Sequence, residues 1–175
     1  VSLSDYTPSE DGTLMAYATS SAGSDWSEVR VRDIEKGTDL TDHIRWVKFS
    51  GISWMKDGSG FFYSRYDEPK KGAALTQKNE FHKLYFHKLG TPQSEDRLIY
   101  ERRDEPEWGF GGSVTEDGKY LIIHVWKGTE PKNRIFYKDL SAPDAPVVEL
   151  LNEADAKYSF IDNEGSTFLF RTDLN

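Results

Sequence analysis

Glu10-Asp11-Gly12 runs into the apolar stretch Leu14-Met15-Ala16-Tyr17, and the same phrase returns along the chain. It recurs as Lys56-Asp57-Gly58 before Phe61-Phe62-Tyr63, and as Glu116-Asp117-Gly118 before Tyr120-Leu121-Ile122-Ile123. A weaker copy is Asn163-Glu164-Gly165 before Thr167-Phe168-Leu169-Phe170. The acids Asp11, Asp57, Asp117 and Glu164 are spaced by 46, 60 and 47 residues. Each copy reads as a hairpin, because glycine accepts the positive φ of a tight turn between strands. A strand-built repeat of this period predicts propeller blades, whereas solenoid β-helices repeat over shorter distances. The expected fold is therefore all-β, a partial β-propeller of about three to four blades, each a four-stranded antiparallel sheet. So few blades do not readily close a ring, and an incomplete propeller is expected.

Working outward from the turns, apolar runs predict strands at Leu14 to Thr19, Glu28 to Asp33, Lys83 to Lys88, Arg97 to Glu101, Arg134 to Lys138, Val147 to Leu151 and Thr167 to Arg171. The blades then fall at about 1–50, 51–108, 109–157 and, incomplete, 158–175. The polar stretch Glu68 to Glu80, with Pro69-Lys70-Lys71-Gly72, reads as a long surface loop that lengthens the second repeat. Glu153-Ala154-Asp155-Ala156-Lys157 has the composition of one helical turn. Gly109 to Gly112 is glycine-rich, but no helix follows to supply phosphate-binding amides, so a structural turn is expected there.

Composition narrows the function classes. Lys+Arg number 22 against 30 Asp+Glu, and the net charge of −8 argues against nucleic acid or an anionic membrane as partner. There is no cysteine, hence no disulfide frame, no thiolate nucleophile and no cysteine zinc site. That count leaves the compartment open. No apolar run approaches the roughly 20 residues of a membrane-spanning helix. His43, His82, His87 and His124 form no close metal-ligand motif, so neither a metal nor a cofactor is expected. Asp104, Glu105 and Glu107 could pose as a catalytic carboxylate pair, but around Pro106 they read as a solvated acidic loop.

Several phrases occur together and in order: Gly23-Ser24-Asp25-Trp26, Val47-Lys48-Phe49-Ser50, Trp54 with Asp57-Gly58, Gly60 and Phe62-Tyr63, Leu89-Gly90-Thr91 with Gln93-Ser94-Glu95-Asp96, Asp104-Glu105-Pro106 with Trp108, and Asn133-Arg134. This set resembles the β-propeller of the prolyl oligopeptidase family, serine peptidases that cleave short peptides after proline, and it covers nearly the whole chain. The resemblance implies a seven-bladed propeller covering an α/β-hydrolase domain, of which this chain would be an internal part. Its partners would be short proline-containing peptides and, within the same polypeptide, the hydrolase domain. No Gly-x-Ser-x-Gly elbow occurs here. The nearest approach, Gly51-Ile52-Ser53-Trp54-Met55, lacks the second glycine, so no catalytic residue is assigned and the chain alone is expected not to hydrolyse peptides.

The resemblance also implies pocket positions. Phe49 matches the family's pocket phenylalanine. The family's pocket methionine aligns with Gly109, next to Phe110, its cavity arginine with Trp126, and a small pocket residue with Thr129. Gly109 and Trp126 depart from the family pattern, so the expected wall is aromatic, built from Phe49, Phe110 and Trp126. Asp25 and Trp26 fall in a loop that the family places near the domain interface. The bland reading of these aromatics, in strands, is core packing.

Overall fold

The computed structural model describes residues 1–21 and 23–175. The strands run in chain order as β1 (Ser2–Pro8), β2 (Leu14–Ser20), β3 (Ser27–Asp33), β4 (Thr38–Val47), β5 (Ser53–Trp54), β6 (Gly60–Arg65), β7 (Lys83–Lys88), β8 (Arg97–Tyr100), β9 (Trp108–Val114), β10 (Tyr120–Lys127), β11 (Arg134–Asp139), β12 (Val148–Leu151), β13 (Tyr158–Glu164) and β14 (Thr167–Thr172). Every pairing among them is antiparallel. β1 to β4 form one meander, and β5 to β8 a second, joined to the first by the single pairing of Val47 with Arg65. β9 to β12 form a third sheet, and β13 with β14 a two-stranded hairpin. This is the architecture of a partial β-propeller.

The repeated Asp-Gly phrase makes one turn three times. Gly12, Gly58 and Gly118 sit at φ +71°, +72° and +73°, conformations that a side chain would strain. Their N–H groups donate to the carbonyls of Ser9, Met55 and Thr115 at 2.9, 3.0 and 2.8 Å. In each turn the aspartate carboxylate accepts the N–H two residues on: Asp11 from Thr13, Asp57 from Ser59 and Asp117 from Lys119. In the fourth copy Asn163 takes over the polar role, its Nδ2 donating to the Gly165 carbonyl at 3.0 Å.

The core lies between the sheets. β6 alternates, with Phe61 and Tyr63 packed among Ala16, Val29, Val31, Ile44 and Trp54, and Phe62 turned to Leu84, Trp108, Phe110 and Leu121. β10 alternates likewise, with Leu121, Ile123 and Val125 toward the second sheet and Ile122 toward Ile135, Ala156 and Tyr158. Strands covered on both faces read as unbroken apolar runs, which explains Phe61-Phe62-Tyr63 and Leu121-Ile122-Ile123.

Two expectations are corrected. Gly109 to Gly112 is not a turn but part of strand β9, paired along β10 from Gly109 opposite Trp126 to Gly112 opposite Ile123. The glycines serve close packing: a Cβ on Gly109 would lie 2.3 to 2.5 Å from the Trp126 ring. Glu153 to Lys157 forms no helical turn. Asn133 clamps the segment instead, receiving the Tyr158 N–H on Oδ1 and donating to the Tyr158 carbonyl, while the Tyr158 hydroxyl donates to Asp155. Tertiary hydrogen bonds override a weak local propensity there.

Candidate functional site

At the strand ends opposite the Asp-Gly turns, the end of β4, the end of β6, the start of β7 and the end of β10 place a run of aromatic rings. Trp26, on the loop between β2 and β3, meets Trp46 edge-on at 5.7 Å and Tyr66 at 6.1 Å between centroids. Tyr66 meets Phe49 at 6.4 Å and His82 at 4.7 Å, and His82 meets Trp126 at 5.6 Å. Edge-to-face contacts of this kind fix ring orientation through the aromatic quadrupole. Burial pushes the Tyr66 phenol up to about 12.

Among the described residues, three non-glycine residues have left-handed backbones, and all are aromatic: Trp46 at φ +61°, Phe49 at +52° and Phe81 at +62°. For bulky side chains this conformation is costly, and surrounding contacts must hold it. His82 provides such a contact. It is fully buried, its Nε2–H donating to the Lys48 carbonyl at 2.9 Å and its Nδ1 accepting the Phe110 N–H at 3.0 Å. Accepting at Nδ1 requires a neutral ring, and burial lowers its pKa to about 4. One imidazole thus ties the residue before Phe49 to the residue after Gly109.

Of the residues singled out from sequence, Phe49, Trp26 and Trp126 join this wall. Phe49 is half exposed, at 52%. Gly109 lies beneath the Trp126 indole, which fills the space where a side chain at 109 would stand. Phe110 is turned into the core: its ring is buried against Tyr100 and stacks on His82 at 6.4 Å between centroids, and its backbone N–H donates to His82. The alternation of β9 turns Phe110 inward. Thr129 is exposed beyond the end of β10. Asp25 is exposed, and its carboxylate lies 3.8 Å from Lys48 Nζ. Trp26 Nε1–H donates to the Ala74 carbonyl at 2.7 Å, pinning the long loop after β6.

Sequence reasoning missed Trp46, Tyr66, Phe81, His82 and Lys48 as parts of this end of the fold. An open pocket of about 340 Å³ lies beside Trp26 and Trp46, lined also by Thr19, Ser27, Glu28 and Arg45. Among the described residues no group of three His, Asp or Glu side chains is placed to hold a metal ion. The wall offers apolar ring faces, a surface against which an apolar side chain of a ligand could pack.

Comparison with known proteins agrees with this geometry. The sequence model of the family described as "Prolyl oligopeptidase, N-terminal beta-propeller domain" matches residues 1–175. A prolyl endopeptidase of Elizabethkingia miricola is 38% identical over 174 residues, 99% of this chain and 24% of that protein. Prolyl oligopeptidase A of Amanita bisporigera is 38% identical over 193 residues, covering 98% of this chain and 25% of its own length. Prolyl oligopeptidase B of Galerina marginata, solved with a 35mer hydrolysis and macrocyclization substrate, superposes with a TM-score of 0.91 at 33% identity, over 98% of this chain and 26% of that one. The chain thus spans about a quarter of the length of the relatives it matches.

Proposed function

Because the chain belongs to the prolyl oligopeptidase family, as that family's N-terminal β-propeller domain, we propose that it forms the substrate-facing wall and gate of a serine-type endopeptidase that cleaves short peptides after proline. The observation that carries this reading is the continuous run of rings from Trp26 through Tyr66 to Phe49 on one side and to His82 and Trp126 on the other. Such a wall binds a peptide by burying apolar surface, at about 25 cal/mol per Å². Rings held by one another and by His82 lose little freedom on binding, so little of that gain is spent on ordering.

In this reading the intramolecular partner is an α/β-hydrolase domain, which would supply the serine nucleophile, its base and the oxyanion hole. The propeller's residues bind and orient the peptide and, by roofing the cavity, exclude folded proteins. Phe49, Trp126 and the backbone of Gly109 would line the outer part of the pocket, with Asp25 and Trp26 near the domain interface.

Kinetics on the full-length protein test the proposal. An octapeptide with a single proline should be cut after that residue, at least about tenfold faster in kcat/KM than its alanine analogue. A stably folded protein substrate should survive. Equal cleavage after alanine, digestion of the folded substrate, or no hydrolysis would overturn it.

A further inference from the structure

β9 is the end strand of its sheet, with β10 on one side and no strand on the other among the described residues. Side chains of the second meander and of the loop before β7 serve that free edge. Phe110 engages them with both of its backbone groups: its N–H donates to His82 Nδ1 at 3.0 Å, and its carbonyl accepts the Ser64 hydroxyl at 2.6 Å. At the far end of β9, Val114 donates its N–H to the Ser53 hydroxyl at 2.9 Å. His82 and Ser64 are each 1% exposed, so their bonds are made out of solvent.

The same two residues hold Phe49 from both sides. The Lys48 carbonyl accepts the His82 Nε2–H at 2.9 Å. The Ser50 hydroxyl accepts the Ser64 N–H at 2.7 Å and donates to the Gly51 carbonyl at 2.7 Å. Between these two fixed points Phe49 keeps its left-handed backbone and half-exposed ring. A phenylalanine left to itself would relax out of that conformation, and bonds on both flanks oppose the relaxation. Satisfying a buried sheet edge needs only one partner for each N–H and carbonyl, which is all that Ser53 supplies. His82 and Ser64 do more, because each joins Phe110 to a neighbour of Phe49.

We propose that His82 and Ser64 are positioning residues of the peptide site, a two-point clamp that holds the Phe49 ring at one place relative to the Gly109–Phe110 backbone and the Trp126 indole. This rests on the peptide-binding reading above and adds to it two residues that act through Phe49 and its neighbours rather than on the peptide. His82 also packs its ring against Tyr66 at 4.7 Å and Trp126 at 5.6 Å, so it steadies the wall on both sides of Phe110. Ser64 acts through the backbone alone. Rings fixed before the peptide arrives lose less freedom on binding. Without the clamp the peptide itself must order Phe49, and affinity falls. The reacting bond is not touched, so the loss appears in KM and not in kcat.

Steady-state kinetics of the full-length protein on the proline octapeptide test the clamp. His82→Leu should raise KM about tenfold and Ser64→Ala about fivefold, with kcat within about twofold of native. The double variant should fall short of the product of the two, because either break already releases Phe49. His82→Gln, whose amide carries both a donor and an acceptor, should recover most of the loss. Ser53→Ala removes a bond of the same kind from the far end of the same edge and should keep the native KM. All variants are compared below their unfolding transitions and with native near-ultraviolet circular dichroism. Should His82→Leu not fold, Ser64→Ala decides alone. A KM unmoved by Ser64→Ala, or moved as far by Ser53→Ala, would overturn the clamp while leaving the peptidase reading in place. A native protein that cleaves no peptide overturns that reading, and the clamp with it.

Discussion

His87 Nδ1 lies 2.6 Å from a carboxylate oxygen of Asp96, and both side chains are buried. The other nitrogen of the ring, Nε2, lies 2.8 Å from Asp42. A carboxylate only accepts, so each ring nitrogen must donate, and the ring is an imidazolium. Asp96 also receives the Tyr63 hydroxyl at 2.5 Å, and Asp42 the Gly90 N–H at 2.7 Å. Asp42 belongs to β4, in the first meander, whereas His87, Tyr63 and Asp96 belong to the second. The network is a polar staple between the two meanders, beside the apolar core.

The staple gives a pH dependence on the alkaline side. Burial pulls the His87 pKa down, but the hydrogen bonds and charges of Asp96 and Asp42 outweigh it and raise the pKa above the ordinary 6.5. A raised folded pKa contributes stability that is complete below 6.5 and lost as pH rises through the folded value. The thermal midpoint should therefore fall on alkaline titration, and His87→Gln should remove that slope. Asp96→Ala should cost about 3 kcal/mol or more in denaturant unfolding, because it leaves a buried cation short of a partner. A midpoint flat from about pH 6 to about pH 9 would contradict the assignment.

His82 predicts the opposite slope. Its pKa is lowered by burial to about 4, so the folded state holds it neutral where the unfolded chain would protonate it. Stability from this group is complete above 6.5 and falls away as pH drops toward 4. His82→Leu should flatten this acid limb while leaving the alkaline limb of His87 in place. It should also cost about 2 kcal/mol or more, since the Lys48 carbonyl and the Phe110 N–H both lose their partner. Chemical denaturation at several pH values separates the two histidines.

Under the proposed peptide-binding role, Phe49 would trade stability for a binding surface. Its ring is half exposed and its backbone sits at φ +52°. A left-handed conformation costs a side-chain-bearing residue about 1–2 kcal/mol relative to glycine. Phe49→Gly should leave stability unchanged or raise it by up to about 1 kcal/mol, despite the loss of ring contacts. Phe49→Ala should be the less stable of the two. Both should weaken peptide binding together, read as a raised KM with kcat little changed. A Phe49→Gly protein clearly less stable than Phe49→Ala would show that the strain is not real.

The sequence discloses what is local and hides what is not. Three Asp-Gly turns could be read because glycine, aspartate and the following N–H act within a few residues. The strands on both sides of Phe61-Phe62-Tyr63 and Tyr120-Leu121-Ile122-Ile123 followed from apolar runs. β1, with mostly exposed residues and a register shift at Leu3 and Asp5, carries no such pattern. Phe49 and Trp126 were located only through the family resemblance. His82 and His87 were read for metal ligation, but their partners lie 28 to 45 residues away for Phe110, Lys48 and Asp42. No periodicity encodes such distances. The one available hint was the placing of Phe49, Tyr66 and Phe81 just outside strands, with Trp46 at the end of β4.

The pairing of Gly109 with Trp126 shows how a departure from the family pattern can be self-consistent. The two residues face each other across β9 and β10, and three atoms of the indole lie 2.3, 2.4 and 2.5 Å from where a Cβ at 109 would stand. Trp126 can lie flat only because residue 109 has no side chain. A methionine at 109 with an arginine at 126, the pair that the resemblance implies for the family, would be the other solution, a side chain at 109 and a flexible one opposite. Gly109→Met alone should therefore destabilise by about 1–3 kcal/mol, the usual cost of overpacking, and should disturb the His82 contact with the indole. Trp126→Arg alone should cost less, because Trp126 is only half-buried. Combining them should recover most of the loss from Gly109→Met, so the double variant is more stable than the sum of the singles predicts. Residues in contact commonly couple by about 0.5–3 kcal/mol, large enough to resolve by urea unfolding of the four proteins in a mutant cycle. Additive effects would mean that the indole is not held by the glycine, and the aromatic wall would then owe its end at Trp126 to the rings of His82 and His124.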